Sequence, residues 1–61
     1  MKDDKIIDIL EENNLGLTIT ELVEKSGFSR STVRTILARL EGAKRVIIKR
    51  VGMAKLYSLK K

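Results

Sequence analysis

Apolar positions along the chain follow two regimes, with helical spacing up to residue 42 and alternating spacing beyond it. Ile6, Ile9 and Leu10 recur at the i, i+3, i+4 spacing of one helix face, and Ile7 broadens the stripe. Asp3 or Asp4 can cap this segment, and Asn13, Asn14 and Gly16 tolerate the left-handed conformation that ends a helix. A first helix is therefore predicted over about 3–13. Leu17 to Ile19 is short and apolar and reads as a single small strand. Thr20 is the expected N-cap of a second helix over about 20–26, with Glu21 placed early, where the helix dipole favours negative charge. Leu22 and Val23 supply its core face, and Ser26-Gly27 its end. Ser29 then caps a third helix over about 30–41, whose Val33, Ile36, Leu37 and Leu40 mark one face, and Gly42 is the expected terminator.

After Gly42 the period shortens. Val46 to Val51 is β-branched and basic, Gly52 to Lys55 is turn-like, and Leu56 to Leu59 is a second short strand, giving a hairpin over about 45–59. Val46, Ile48, Tyr57 and Leu59 are its expected inward residues, leaving Ile47 exposed. The pattern is that of a single α+β domain spanning 1–61: three helices and then a small antiparallel sheet. No internal repeat, linker or low-complexity segment interrupts it.

Composition narrows the chemistry. A chain of 61 residues buries only about 60% of the surface its unfolded form exposes, which leaves a thin stability margin and little room for a ligand cavity. The absence of cysteine excludes disulfides and thiolate metal sites. The absence of histidine removes the commonest metal ligand and the commonest general base at neutral pH. Ser29 and Ser31 thus have no imidazole to activate them, and the carboxylates sit mostly in the first two helices, away from the hydroxyls. Neither metal-ligand spacing nor a phosphate-binding glycine loop occurs. No enzymatic activity, cofactor or metal is expected. The apolar run Val46 to Ile48 is three residues long and no run exceeds it, far short of a membrane span or a signal-peptide core. A soluble, cytoplasmic protein without a membrane partner is expected.

Charge divides the chain. Residues 1–24 carry two Lys against seven Asp and Glu, a net of −5, while residues 25–61 carry eleven Lys and Arg against Glu41, a net of +10. Such a domain can remain soluble while presenting a focused positive field. Charge runs alone are equally compatible with a solvated surface, so the placement of the cations decides between the two.

In the segment TITELVEKSGFSRSTVRTILARL (18–40), two short helices meet at Gly27. Leu22, Val23, Phe28, Val33 and Ile36 fit the role of locking them together, with Phe28 read as a plug under the turn rather than a base-stacking platform. At 100° per residue, the face opposite the core stripe of the third helix is Ser31, Arg34, Thr35 and Ala38. Arg30 and Thr32 flank it, and Arg39 lies further along. Small hydroxylated side chains permit close approach to base edges, and arginine grips guanine or a phosphate in two-pronged fashion. The helix N-terminus near Ser29 and Arg30 favours a phosphate. The hairpin adds Lys49, Arg50 and Lys55. Each of these lysines is as readily explained as protection of an edge strand against aggregation, but the group favours contact with phosphates or the minor groove. The layout of helix, turn, basic helix and basic ribbon suits double-stranded DNA. Structured RNA, or a protein partner docked on the ribbon or on the acidic first helix, remains as an alternative.

The residues Leu17-Thr18-Ile19-Thr20-Glu21-Leu22, Gly27-Phe28-Ser29, Ser31-Thr32-Val33, Leu40-Glu41-Gly42 and Tyr57-Ser58-Leu59 together resemble a winged helix-turn-helix domain, of the broad class that includes MarR-type and related bacterial and archaeal transcription regulators. The resemblance spans nearly the whole chain. It implies sequence-specific binding of double-stranded DNA, usually as a homodimer, with the third helix in the major groove and the hairpin, or wing, along the backbone. Carried over by position, Arg30, Ser31, Thr32, Arg34 and Thr35 match the recognition helix, and Lys49, Arg50 and Lys55 match the wing. Val23 departs from the alanine usual at its place, and Arg45 from the apolar residue that commonly opens the wing. No pattern for the additional helices that many relatives use to dimerise or sense a ligand occurs in residues 1–61, and no small-molecule effector is expected.

Overall fold

Local signals start and stop each element, and the apolar stripes then decide how they stack. The computed structural model describes residues 2–60. It contains α1 (Lys2–Glu12), α2 (Ile19–Ser26), α3 (Arg30–Gly42), β1 (Val46–Val51) and β2 (Ala54–Leu59). The three helices pack on one another and on one face of a two-stranded antiparallel sheet, a winged helix-turn-helix arrangement. Ile6 and Leu10 of α1, Leu22 of α2, and Val33, Ile36, Leu37 and Leu40 of α3 form the core, closed from the sheet side by Val46 and Tyr57.

Four element ends differ from the sequence expectation. α1 begins at Lys2, so Asp3 and Asp4 lie within its first turn rather than capping it. β2 begins at Ala54, which shortens the expected Gly52 to Lys55 turn to Gly52-Met53. The N-cap of α2 is Thr18, not Thr20. The Glu21 amide donates to Thr18 Oγ1 at 3.2 Å and the Thr18 amide donates to Glu21 Oε1 at 3.0 Å, a reciprocal capping box. The helix therefore begins at Ile19, and the expected small strand reduces to one bridging residue. Leu17 exchanges both backbone hydrogen bonds with Tyr57, at 2.9 and 2.8 Å, adding a third backbone to the sheet at a single point. Gly42 does not terminate α3 by a left-handed turn either. The left-handed residue is Lys44, with φ 60°. Its amide donates to the Glu41 carbonyl and that of Arg45 to the Leu40 carbonyl, both at 2.9 Å, the two-bond closure of a Schellman motif. Gly42 is the last helical residue.

The turn between α2 and α3 follows from Gly27 and Ser26. Gly27 adopts φ 78° and its amide bonds the Val23 carbonyl. Ser26, the one buried polar side chain among the described residues, accepts from the Phe28 amide at 3.1 Å. Ser29 then caps α3 by accepting from the Thr32 amide at 3.2 Å. Phe28 is half-buried against the core, with the Lys2 and Lys5 ammoniums 5.6 and 5.7 Å from its ring centroid, so its ring is a plug covered by cations.

In the hairpin, Val46 pairs with Leu59, Ile48 with Tyr57 and Arg50 with Lys55, while Ile47 pairs with Ser58, Lys49 with Leu56 and Val51 with Ala54. Cross-strand partners share a face and successive pairs alternate. Val46, Ile48, Tyr57 and Leu59 thus all lie toward the helices, and Ile47 lies outward.

Candidate nucleic-acid interface

The capped N-terminus of α3 and the core stripe beneath it fix which residues stand clear of the body. Arg30, Ser31, Arg34 and Thr35 are exposed and surround a shallow depression. Thr35 Oγ1 donates to the Ser31 carbonyl at 3.0 Å. Ser29 and Thr32 are engaged with each other, the Ser29 hydroxyl donating to Thr32 Oγ1 at 2.9 Å. They shape the start of the helix. Arg30 Nη2 donates to Thr20 Oγ1 at 3.1 Å, which leans that guanidinium toward the first turn of α2.

Arg34 occupies the centre of this surface and has no hydrogen-bond or ion-pair partner among the described residues. On one side of it, Arg34, Leu37, Ala38 and Glu41 of α3 face Lys55 and Tyr57 of β2 and Ile19 of α2 across a cleft of about 250 Å³. The exposed face of α3 and the wing therefore open toward the same side. On the other flank, Thr32, Thr35 and Arg39 of α3 meet Lys2 of α1. There Arg39 Nη2 donates to Asp3 Oδ1 at 2.8 Å, and this ion pair ties α1 to α3.

The three wing cations do not form one group. Arg50 and Lys55 are directly opposite each other on the face that continues the helix side of the sheet, whereas Lys49 lies on the other face, opposite Leu56. Like charges directly across a strand pair are destabilising. Nothing acidic among residues 42–61 offsets them.

Residues 5–44 match the family model of the IclR helix-turn-helix domain. The chain belongs to that family, which is not an enzymatic one. The broad winged-helix resemblance thus resolves to the IclR-type domain, with the wing lying mostly beyond the matched span. Among solved structures, the predicted DNA-binding transcriptional regulator from E. coli is 28% identical, with a TM-score of 0.85 over 93% of this chain and 59% of that one. A protein from Archaeoglobus fulgidus is 24% identical, with a TM-score of 0.75 over 98% of this chain and 68% of that one, a likeness of fold. The chain thus spans 59% of the length of the E. coli structure. No curated protein sequence matches it.

Three participants in this IclR-type surface were not foreseen from sequence: Asp3, which holds Arg39; Thr20, which holds Arg30; and Lys2, which borders the α1 flank. Each depends on a meeting between elements. Only the acidic content of 1–24 hinted that a carboxylate would meet a cation of α3. No group of three His, Cys, Asp or Glu among the described residues can hold a metal ion. No helix among them is long and apolar enough to cross a membrane.

Proposed function

We propose that this IclR-type domain binds double-stranded DNA sequence-specifically as a transcription regulator, with α3 in the major groove and the wing against the backbone. The observation that carries the proposal is the exposed Arg30–Ser31–Arg34–Thr35 face of α3, with Lys55 of the wing across one cleft from it and Glu41 the one carboxylate bordering that cleft. The 28%-identical E. coli structure, named as a predicted DNA-binding transcriptional regulator, supports the same reading.

Arg34, at the centre, reads a base edge, most readily guanine. Ser31 and Thr35 approach neighbouring bases. Arg30 and the amides at the Ser29–Thr32 N-terminus hold a phosphate. Arg50 and Lys55 neutralise backbone phosphates from the wing, Lys49 adds field at longer range, and Arg39 exchanges Asp3 for a phosphate on binding. Two copies bind as a homodimer on a two-fold half-site arrangement.

Enrichment of bound duplexes from a random pool, followed by a salt series on the recovered site, tests this reading. The expected outcome is a palindrome, with log affinity falling steeply against log salt as roughly 6–10 phosphates are neutralised by the dimer. Arg34→Ala weakens binding by about 1–3 kcal/mol at one base position and relaxes the preference there. Equal affinity for structured RNA, heparin and duplex, with no enriched sequence, would refute it. An equal loss on every sequence would remove base reading from Arg34.

A further inference from the structure

The wing ends in an unusual way for a solvent-exposed turn. Val51 pairs with Ala54, so Gly52-Met53 is a two-residue loop. Gly52 has φ 62° while Met53 keeps a negative φ, the pattern of a type II′ hairpin turn with glycine in its first central position. Such a turn is short and stiff, and it carries Met53 at the end of the hairpin, fully exposed at 105%. Val51 beside it is 60% exposed. Turn tips ordinarily carry Asn, Asp, Ser or Gly. Here the tip is apolar, and at its base stand Arg50 and Lys55, the cross-strand pair on the helix side of the ribbon.

An apolar point between two cations fits a narrow anionic cleft that can open an apolar gap between its walls. The minor groove supplies this when a step opens: phosphates line both rims, polar base edges line the floor, and the apolar surface is the pair of base faces exposed between them. The geometry also permits the reach. With α3 in the major groove, the neighbouring minor groove is about half of the roughly 34 Å helical repeat away, and the longest extent of the domain is 29 Å.

Resting on the DNA-binding reading above, we propose that the wing tip enters the minor groove and that Met53 acts as an apolar wedge, partly unstacking a base step while Arg50 and Lys55 hold the flanking phosphates. Methionine is among the side chains that can wedge base steps apart. The step it selects is one that opens easily, a pyrimidine–purine step such as TA or CA. Specificity at that position thus comes from deformability, with no hydrogen bond from the tip.

The experiment uses the full chain on its enriched duplex, with 2-aminopurine placed in turn at each step on the wing side, and a paired measurement of DNA bending by energy transfer between end labels. Wild type is expected to raise 2-aminopurine fluorescence at a single step and to bend the duplex. Met53→Ala is expected to abolish both signals while still binding, and to lower the preference for a TA step over a GC step at that position by about tenfold. Met53→Leu restores both signals. The proposal is overturned if wild type binds the duplex without unstacking any step, or if Met53→Ala bends and unstacks as wild type does. It is also overturned if Met53→Ala turns a dimer into a monomer while no unstacking is seen, since the tip is then a contact between copies. Absence of any duplex binding by wild type is a separate signature, which removes the DNA-binding reading itself and this inference with it.

Discussion

Arg50 and Lys55 stand directly opposite each other at the end of a two-stranded ribbon, and this placement sets folding against binding. Opposite charges at such a site contribute roughly 0.2–1 kcal/mol relative to alanine, and like charges oppose pairing. Lys55→Glu converts the like pair into an ion pair. Both side chains are exposed, so solvent screening confines the gain to the lower part of that range, roughly 0.5 kcal/mol. For a domain of this size about 1 kcal/mol moves Tm by roughly 4–8 °C, so a rise of about 2–4 °C is expected. DNA binding moves the other way. Leaving one phosphate unneutralised flattens the log-affinity against log-salt line by about 0.9. The homodimer proposed above carries Lys55 twice, so the substitution leaves two phosphates bare, one in each protomer, and the slope flattens by about 1.8. Between about 50 and about 200 mM salt, a fourfold change, the ratio of wild-type to variant affinity then shrinks about twelvefold.

The assay is fluorescence anisotropy of a labelled duplex across that salt range, paired with thermal unfolding by circular dichroism. Lys49→Ala is the internal control. Its side chain is on the opposite face of the ribbon, so it flattens the slope by less than the roughly 1.8 expected when each protomer of the dimer loses one bound phosphate. A variant Lys55→Glu that is both less stable and unchanged in salt slope refutes the reasoning. So does a Lys49→Ala variant that flattens the slope as much as removal of Lys55.

Other outcomes follow from the helix ends and the α1 flank. Thr18→Ala removes the capping box of α2 and lowers stability by about 1 kcal/mol, whereas Thr20→Ala, at a position that does not cap, changes it by under about 0.5 kcal/mol; chemical denaturation distinguishes them, and equal losses would displace Thr18 as the cap. Gly42 is helical and a Cβ there meets nothing within 4 Å, while Lys44 holds a left-handed φ. Gly42→Ala and Lys44→Gly should therefore each stabilise by roughly 0.5–1 kcal/mol, and a loss of stability in the denaturation midpoint of either would contradict the Schellman assignment. Asp3→Asn releases Arg39. Stability should fall by less than about 1 kcal/mol, and DNA affinity should rise across the salt range with the slope unchanged, because Arg39 meets the same phosphate without first giving up Asp3; an affinity no higher than that of wild type means that Arg39 does not exchange Asp3 for a phosphate.

What the sequence disclosed, and what it concealed, divides by range along the chain. The stripes Ile6–Leu10 and Val33–Leu40 were legible because helical periodicity is local and each stripe needs only to be buried somewhere. The α2 cap was written in the sequence as Thr18-Ile19-Thr20-Glu21, with Glu21 three residues after Thr18. Reading Leu17 to Ile19 as a strand shifted the cap to Thr20, although only Leu17 pairs with the sheet. Lys44 was hidden by Gly42, since glycine is the better left-handed residue and sits only two positions earlier. The Arg39–Asp3 pair joins residues 36 apart, and no periodicity encodes such a meeting. The wing is the instructive intermediate case. Once Val46, Ile48, Tyr57 and Leu59 are assigned inward, alternation alone sends Arg50 and Lys55 to that same face and Lys49 to the other. Counting the basic residues as one patch discards this information, although pairing register decides which cations can act on one anion together. Charge totals therefore point to a polyanion as the partner, whereas register selects the residues that meet it. Two like charges held face to face on an otherwise marginal ribbon are a local cost to folding, and a cost of that kind is expected where the partner of the site comes from outside the chain.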